Sequence, residues 1–376
     1  MKSLASINSS ELLNCRALVR LDLNVPIING KVMDDFRIIS SLPTLEFLGK
    51  AGARICIISH CEANKGETCS LSFAATELGK FIPLVFVNSI EEAKKLQSEG
   101  EGRMIVIESL RTNEGEKNND EKFAKDLSGL GDIYVNEAFS VSHRDHASIV
   151  GVPKFIPSYA GIQLEKEIKE LGRVFNPPQP FVFILGGAKF DTKIPLIQKF
   201  LDKADSVFIG GALANDLLKA QGNEVGKSLT SRENMDLSKI ISNPKLVKVI
   251  DVIVKKENGN SGEKIKRMIN DIEPDDIICD VGPETMRIIE EKIRGASCIL
   301  WNGPLGFTEG GYDEATLSLA QAIADSKAIS ILGGGDTLSA VHKLNINDNF
   351  SFISTGGGAA LDFLAHETLP GIAALG

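Results

Sequence analysis

The sequence predicts an α/β fold with parallel sheets, divided into two domains. Three observations predict it. Short apolar runs of strand length alternate with helical patterns along the whole chain, as in sheets buried on both faces. Five of the apolar runs in the second half end in Gly-Gly or Asn-Gly. At 376 residues the chain is also long for a single hydrophobic core.

In the first half, residues 17–24 (ALVRLDLN) read as a strand and 37–50 as a helix. Residues 54–59 (RICIIS) are a strand, followed by a helix near 73–80. Further strands lie at 84–87, 104–107 and 133–135, with helices near 90–96 and 121–127 between them. Ligands of such sheets bind beyond the C-terminal strand ends. Those ends carry Asp22 and Asn24, then His60, Arg111, Asn136 and the run His143-Arg144-Asp145-His146.

Residues 161–173 (GIQLEKEIKELGR) form an amphipathic helix. Leu164, Ile168, Leu171 and Phe175 recur at helical spacing, and Asn176-Pro177-Pro178 ends it. Eight of the twelve arginines fall at or before Arg173, and every adjacent glycine pair falls after it. This helix divides a half suited to holding anions by side chains from one suited to holding phosphate by backbone.

The second half repeats the strand pattern. The run 181–185 leads into Gly186-Gly187-Ala188-Lys189, and 206–209 into Gly210-Gly211. A further strand is expected at 248–254, with a polar turn at 257–263. Residues 298–301 lead into Asn302-Gly303-Pro304, 328–332 into Gly333-Gly334-Gly335-Asp336, and 350–354 into Thr355-Gly356-Gly357-Gly358.

Composition narrows the function. A net charge of −9 argues against nucleic acid or an anionic membrane as the main partner, because both demand a positive field. No apolar run reaches transmembrane length, and polar residues interrupt the N-terminal segment, which does not read as a signal peptide. Asn8-Ser9-Ser10 is then an incidental glycosylation sequon. The six cysteines include no CxxC pair and are expected as free buried thiols of a reducing cytoplasm. His60 and Cys61 are adjacent, and adjacent residues in a strand point to opposite faces, which opposes a shared metal or nucleophile site.

A strand feeding a glycine cluster and then a helix suits phosphate, because the backbone approaches closely and helix-start N–H groups donate. One cluster is equally a tight turn. Several along one sheet edge, with Lys189 and Lys193 in the first, point to a nucleotide. Asp336 is either a helix N-cap or a carboxylate for Mg²⁺. Gly222–Ser228 (GNEVGKS) has one residue too few for a Walker A loop and follows a helix, so it is set aside. Arg20, Arg37, Arg111 and Arg144 lie near strand ends or helix starts. One arginine is usually a surface group, but four near one sheet edge suit a carboxylate or phosphate. His60, His143 and His146 are candidates for acid–base work or for orienting hydrogen bonds.

Eight segments in order resemble the phosphoglycerate kinase family along nearly the full chain. They are VRLDLNVP (19–26), DDFRIISSLPTL (34–45), YVNEAFSVSHRDHAS (134–148), ILGGAKFDTKI (184–194), DVGPET (280–285), LWNGPLGFTE (300–309), ILGGGDT (331–337) and STGGGAA (354–360). The resemblance implies two Rossmann-like three-layer domains with parallel sheets joined by a hinge helix. The N-terminal domain, 1–160, would bind 3-phosphoglycerate, with 360–376 packing back on it. Residues 161–175 would be the hinge and 176–359 the nucleotide domain. The implied reaction is Mg²⁺-dependent phosphoryl transfer between ATP and 3-phosphoglycerate, giving ADP and 1,3-bisphosphoglycerate, in glycolysis and gluconeogenesis. A cytoplasmic monomer is implied as well.

By motif position, Asp22, Asn24, Arg37, His60, Arg111 and Arg144 would bind the glycerate. Arg37, Lys189 and Lys193 would be catalytic. Gly187, Lys193, Gly211, Leu213, Asn302, Pro304, Glu309, Gly333, Gly334, Gly335, Asp336 and Thr355 would bind nucleotide, with Asp336 at the metal. The chain departs from the family's usual SHLGRP after the second strand. It reads Ser59-His60-Cys61-Glu62-Ala63-Asn64, so Ala63 stands where a substrate arginine is expected and Lys65 follows nearby. Ser109, Glu284 and Ala360 replace the usual asparagine, lysine and serine. Weakened 3-phosphoglycerate affinity follows as an expectation. A non-catalytic nucleotide-binding homologue and a kinase for a related acid are the alternatives.

Overall fold

The computed structural model describes residues 1–62, 70–188, 193–231, 236–257 and 263–376. Ala63, Lys65 and Lys189 lie outside the described residues. The chain forms two compact units, Met1–Lys169 with His366–Gly376, and Glu170–Ala365. No helix among the described residues is long and apolar enough to cross a membrane.

The first unit is built on strands β1 (Arg16–Arg20), β4 (Arg54–Ile58), β5 (Val85–Val87), β6 (Met104–Ile107), β7 (Ile133–Asn136) and β8 (Ser158–Ala160). A two-residue hairpin pair, β2 (Ile27–Ile28) and β3 (Lys31–Val32), stands apart. The six strands lie in the order β5-β6-β4-β1-β7-β8, and every pairing is parallel. Val19, Ile55, Ile57 and Val106 pack in a core with Leu45 and Leu48 of the helix Phe36–Lys50. The alternate residues Leu18, Cys56 and Ile105 are buried too. Burial on both faces explains why these strands read as continuous apolar runs.

The expected strand at 17–24 stops early, at Arg20. Beyond it, side chains take over the backbone bonding. Asp22 accepts from the Asn24 N–H at 3.0 Å, and Ser59 Oγ from the Leu23 N–H at 2.9 Å. Such local bonds compete with a ladder and turn the strand end into a shaped loop.

In the second unit, β9 (Phe181–Leu185), β10 (Ser206–Ile209), β14 (Cys298–Asn302), β15 (Ile329–Gly333) and β16 (Phe352–Ile353) form a parallel sheet, ordered β10-β9-β14-β15-β16. Val182, Ile184, Ile299 and Trp301 meet Met286, Ile289, Leu319 and Ile323 of two helices on one face. Phe200 packs on Phe183 and Phe181, with ring centroids 4.7 and 5.8 Å away.

The apolar run expected as a strand at 248–254 joins a different sheet. Its strand is β11 (Asp251–Lys256), between β12 (Ile265–Met268) and β13 (Asp276–Val281), and both pairings are antiparallel. Residues of β12 alternate between half-buried and exposed, the mark of a sheet with one wet face. Most of the expected turn at 257–263 lies outside the described residues.

The cysteine expectation needs one correction. Cys15, Cys56, Cys279 and Cys298 are free thiols, but Cys61 is disulfide-bonded. Sequence spacing carried no sign of it, because a disulfide depends on where two side chains meet.

Candidate functional site

The strand ends of the first unit gather a buried basic cluster. Arg20 is fully buried at the end of β1 and donates through Nε to Ser148 Oγ at 2.9 Å. Its Nη1 donates to the Leu21 carbonyl, and its Nη2 lies 3.1 Å from His60 Nδ1. A guanidinium only donates, so His60 Nδ1 accepts and the imidazole carries its proton on Nε2. Burial, then Arg20, pushes the His60 pKa well below its ordinary value; Arg111 and Arg144 add to this, and Asp22 opposes it. His60 is therefore neutral near pH 7 and orients Arg20.

Asp22 and Arg37 form a second element of the cluster. Arg37 Nη1 pairs with Asp22 Oδ2 at 2.8 Å and donates to the Asn24 carbonyl at 2.9 Å. Ser140 also donates to Asp22. Burial acts to raise the Asp22 carboxyl, but Arg37 and the hydrogen bonds from Ser140 and Asn24 outweigh it and hold it below its usual value. The aspartate thus fixes one edge of the Arg37 guanidinium, which stays a third exposed.

Arg111 differs from both. Its side chain is 1% exposed and contacts Glu62 as an ion pair. Its Nη1 meets Glu62 Oε1, and its Nε and Nη2 have no hydrogen-bond partner among the described residues. Burial, then Arg144 and Arg20, lowers its pKa to about 10, against the pull of Glu116 and Asp22. Arg144 Nε lies 3.4 Å from His143 Nε2. Burial, then Arg111, Arg144, Arg20 and Lys117, brings His146 down to about 4. Among the described residues the buried counter-charge on this side is Glu116, which accepts from the Ser148 N–H and Oγ at 2.9 and 2.6 Å.

In the second unit the site is made of backbone. The Gly186 N–H donates to the Asn302 carbonyl at 2.8 Å, and the Gly211 N–H to that of Leu305 at 2.9 Å. These bonds draw three strand ends so close that a Cβ on Gly186 would sit 2.0 Å from the Pro304 carbonyl oxygen. Trp301 Nε1 donates to the Gly303 carbonyl at 2.8 Å, and Thr337 Oγ1 accepts from the Gly303 N–H at 2.9 Å. The turn at Asn302-Gly303-Pro304 is thereby fixed. Gly334 takes a φ of +97°, which favours glycine, and starts the helix Gly335–Leu344 without a side-chain cap. The first N–H groups of that helix have no partner within it.

A cavity of about 400 Å³ opens along these glycines. Gly187, Gly211, Pro304, Glu309 and Asp336 line it, together with Leu229, Phe307 and residues of β11 and β13. Phe307 is about half exposed, and Lys255 Nζ lies 5.9 Å from its ring centre. Asp280 also lines the cavity; burial lifts its carboxyl to about 7 despite N–H donors from Val281 and Ala315. Lys193 Nζ donates to the Gly186 carbonyl at 2.8 Å. Leu213 is fully buried in the helix Ala212–Ala220. Asn302 is buried at the end of β14, while Thr355 is half-buried after β16.

The chain matches the phosphoglycerate kinase family model over residues 7–367. It belongs to the phosphoglycerate kinase family. It is 41% identical to the phosphoglycerate kinase of Finegoldia magna, covering 96% of this chain and 95% of that one. It is 38% identical to that of Dictyoglomus turgidum, covering 100% and 98%. The phosphoglycerate kinase structure from Coxiella burnetii superposes with a TM-score of 0.85 at 36% identity, over 99% and 98% of the chains. That from Pyrococcus horikoshii gives 0.85 at 29%, over 100% and 98%. These phosphoglycerate kinases carry the same two-part α/β fold.

Sequence reading missed the supports of the phosphoglycerate kinase site. Ser140, Ser148 and Glu116 hold the basic cluster, yet none stands out by spacing. Leu229, Phe307 and the antiparallel sheet wall the cleft. No spacing signal in the sequence marks that wall, because β12 (Ile265-Lys266-Arg267-Met268) alternates in exposure but not in polarity.

Proposed function

We propose that the protein transfers the terminal phosphoryl group of ATP to the carboxylate of 3-phosphoglycerate, and the reverse. The observation that carries this reading is Arg37, held by Asp22 and the Asn24 carbonyl at the edge of a buried arginine cluster. Asp22, Asn24, Arg37, His60, Arg111 and Arg144 bind the acid in this reading. The glycines of the second unit, with Lys189, Lys193, Glu309 and Thr355, bind the nucleotide. The accepting carboxylate is ionised at neutral pH, so no general base is needed. Catalysis then rests on positioning and on neutralising charge as the phosphoryl group moves, the work of Arg37, Lys189 and Lys193.

Asp336 suits Mg²⁺. It is an exposed carboxylate lining the cleft in the first turn of an uncapped helix, and among the described residues it makes no ion pair. One protein carboxylate with phosphate oxygens is the usual Mg²⁺ set, and the ion would offset phosphate charge. The two ligand sets belong to different units, so in-line transfer calls for closure about the hinge segment 161–175. Residues 1–160 with 360–376, and 176–359, are the working domains of this proposal. A cytoplasmic monomer completes it, on the support of the family resemblance.

A coupled assay with MgATP over a range of 3-phosphoglycerate concentrations tests the reading. Saturable turnover supports it. Turnover with another acid alone selects the related-acid kinase, and nucleotide binding without turnover selects the non-catalytic homologue. The family match does not favour the last.

A further inference from the structure

Glu62 contacts the cluster from a loop pinned at two points. Its N–H donates to Asn24 Oδ1 at 2.9 Å, and the Cys61 N–H donates to Ser109 Oγ at 3.2 Å. Asn24 and Ser109 follow β1 and β6, so the backbone is fixed between two strand ends of the acid site. From there the carboxylate reaches the Arg111 guanidinium.

The partners are unequal. The Arg111 side chain is 1% exposed and that of Glu62 is 39% exposed. A buried guanidinium offers five N–H donors in a fork that suits a bidentate oxyanion. Here Glu62 Oε1 meets Nη1, while Nε and Nη2 have no hydrogen-bond partner among the described residues. Glu62 therefore supplies counter-charge at one arm of the fork and leaves the donors on Nε and Nη2 open. A buried cation left without counter-charge is costly, which accounts for the pairing.

We propose that Glu62 is a specificity-determining residue of the acid site, an internal carboxylate that competes with the substrate oxyanion for Arg111. An arriving carboxylate or phosphate must displace Glu62, so apparent affinity falls by the fraction of molecules in which Glu62 holds the guanidinium. The competition penalises weakly charged acids most, since they offset least of the lost pair. It concerns acid binding alone and leaves the nucleotide cleft untouched. The identity of the acid rests on the function proposed above; the competition itself requires only an oxyanion at Arg111.

The test compares the full-length protein with Glu62→Gln and Glu62→Asp by calorimetry. Binding of 3-phosphoglycerate, inorganic sulfate and MgADP is measured separately, alongside KM and kcat for both substrates. Glu62→Gln is expected to tighten 3-phosphoglycerate and sulfate binding about tenfold, the effect of removing one charge-assisted contact. Its KM for 3-phosphoglycerate falls to match, MgADP affinity stays within twofold, and Glu62→Asp returns both anions toward the original affinity. Unchanged or weaker binding of both anions by Glu62→Gln, with an intact melting transition, overturns the proposal. So does an equal shift in MgADP affinity. Tighter sulfate binding with no 3-phosphoglycerate binding in any form supports the competition and defeats the substrate reading instead.

Discussion

In the first unit, cationic side chains converge from β1, β6 and the Phe36–Lys50 helix, and buried serines and carboxylates orient them. In the second, the strand ends come within contact of one another, and backbone N–H groups and a bare helix start replace charged side chains. The first arrangement holds its ligand by charge taken out of water, so its residues perturb one another's pKa. The second holds its ligand by close approach, so its residues are small. A substitution in the first should change affinity or turnover while the fold survives. A substitution in the second should damage local folding before chemistry.

The largest expected effect is Arg37→Ala. Turnover should fall about 10²–10³-fold, by analogy with one lost oxyanion donor, with much smaller changes in either Michaelis constant. Steady-state kinetics decide it, and near-normal turnover would break the contrast on the side-chain half.

Gly186→Ala should act through structure. The new Cβ would meet the Pro304 and Gly303 carbonyl oxygens, and overpacking of that severity costs about 3 kcal/mol. Chemical denaturation should show the loss, and MgADP affinity should fall with it. A variant that is fully stable yet binds no nucleotide would mean that the glycine serves the ligand directly.

The two halves share one device, a buried carboxyl at a helix start. Glu137 accepts from the Gln163 and Leu164 N–H groups, each at 3.0 Å, and from Thr44. Asp280 accepts from the Ala315 N–H at 3.1 Å. Burial lifts both carboxyls to about 7. Each native state therefore binds a proton that the unfolded chain has released. The stabilisation from these groups is complete below the unfolded carboxyl pKa and is lost as pH rises through about 7. The steepest slope is about 1.4 kcal/mol per pH unit for one group. Denaturant midpoints between pH 5 and 8 for Glu137→Gln and Asp280→Asn should each show a flatter decline. An unchanged profile in one variant would assign the pH dependence to the other unit.

The smallest effect is expected from Ala63→Arg, which restores the family's usual guanidinium. It should tighten 3-phosphoglycerate several-fold, about 1 kcal/mol, and leave MgATP unchanged. If acid affinity does not move, the missing arginine is not what weakens the site.

The nucleotide half was the more legible of the two. Gly187, Gly211 and Gly334 have backbone angles or neighbours that a side chain would not tolerate, and that demand is written at the position itself. The run at 248–254 does contain a strand, but its antiparallel sheet was not legible, because a short apolar strand looks the same in a parallel or an antiparallel sheet. In the acid half the arginines were visible, but their partners were not. Asp22 meets Ser140 across 118 residues of chain, and Thr44 meets Glu137 across 93.

The sequence by itself determined the α/β class, the partition of arginines from glycine clusters, and the motifs that carry the family. Periodicity, turn chemistry and charge are local properties, and a local reading recovers them. The tertiary structure alone decided that Arg111 is buried with two nitrogens of its fork unpartnered among the described residues, that Glu62 is the carboxylate set against it, and that Glu137 caps the helix Ile162–Gly172. Burial and pairing depend on which distant segments meet, and that distance sets both desolvation and Coulomb energy.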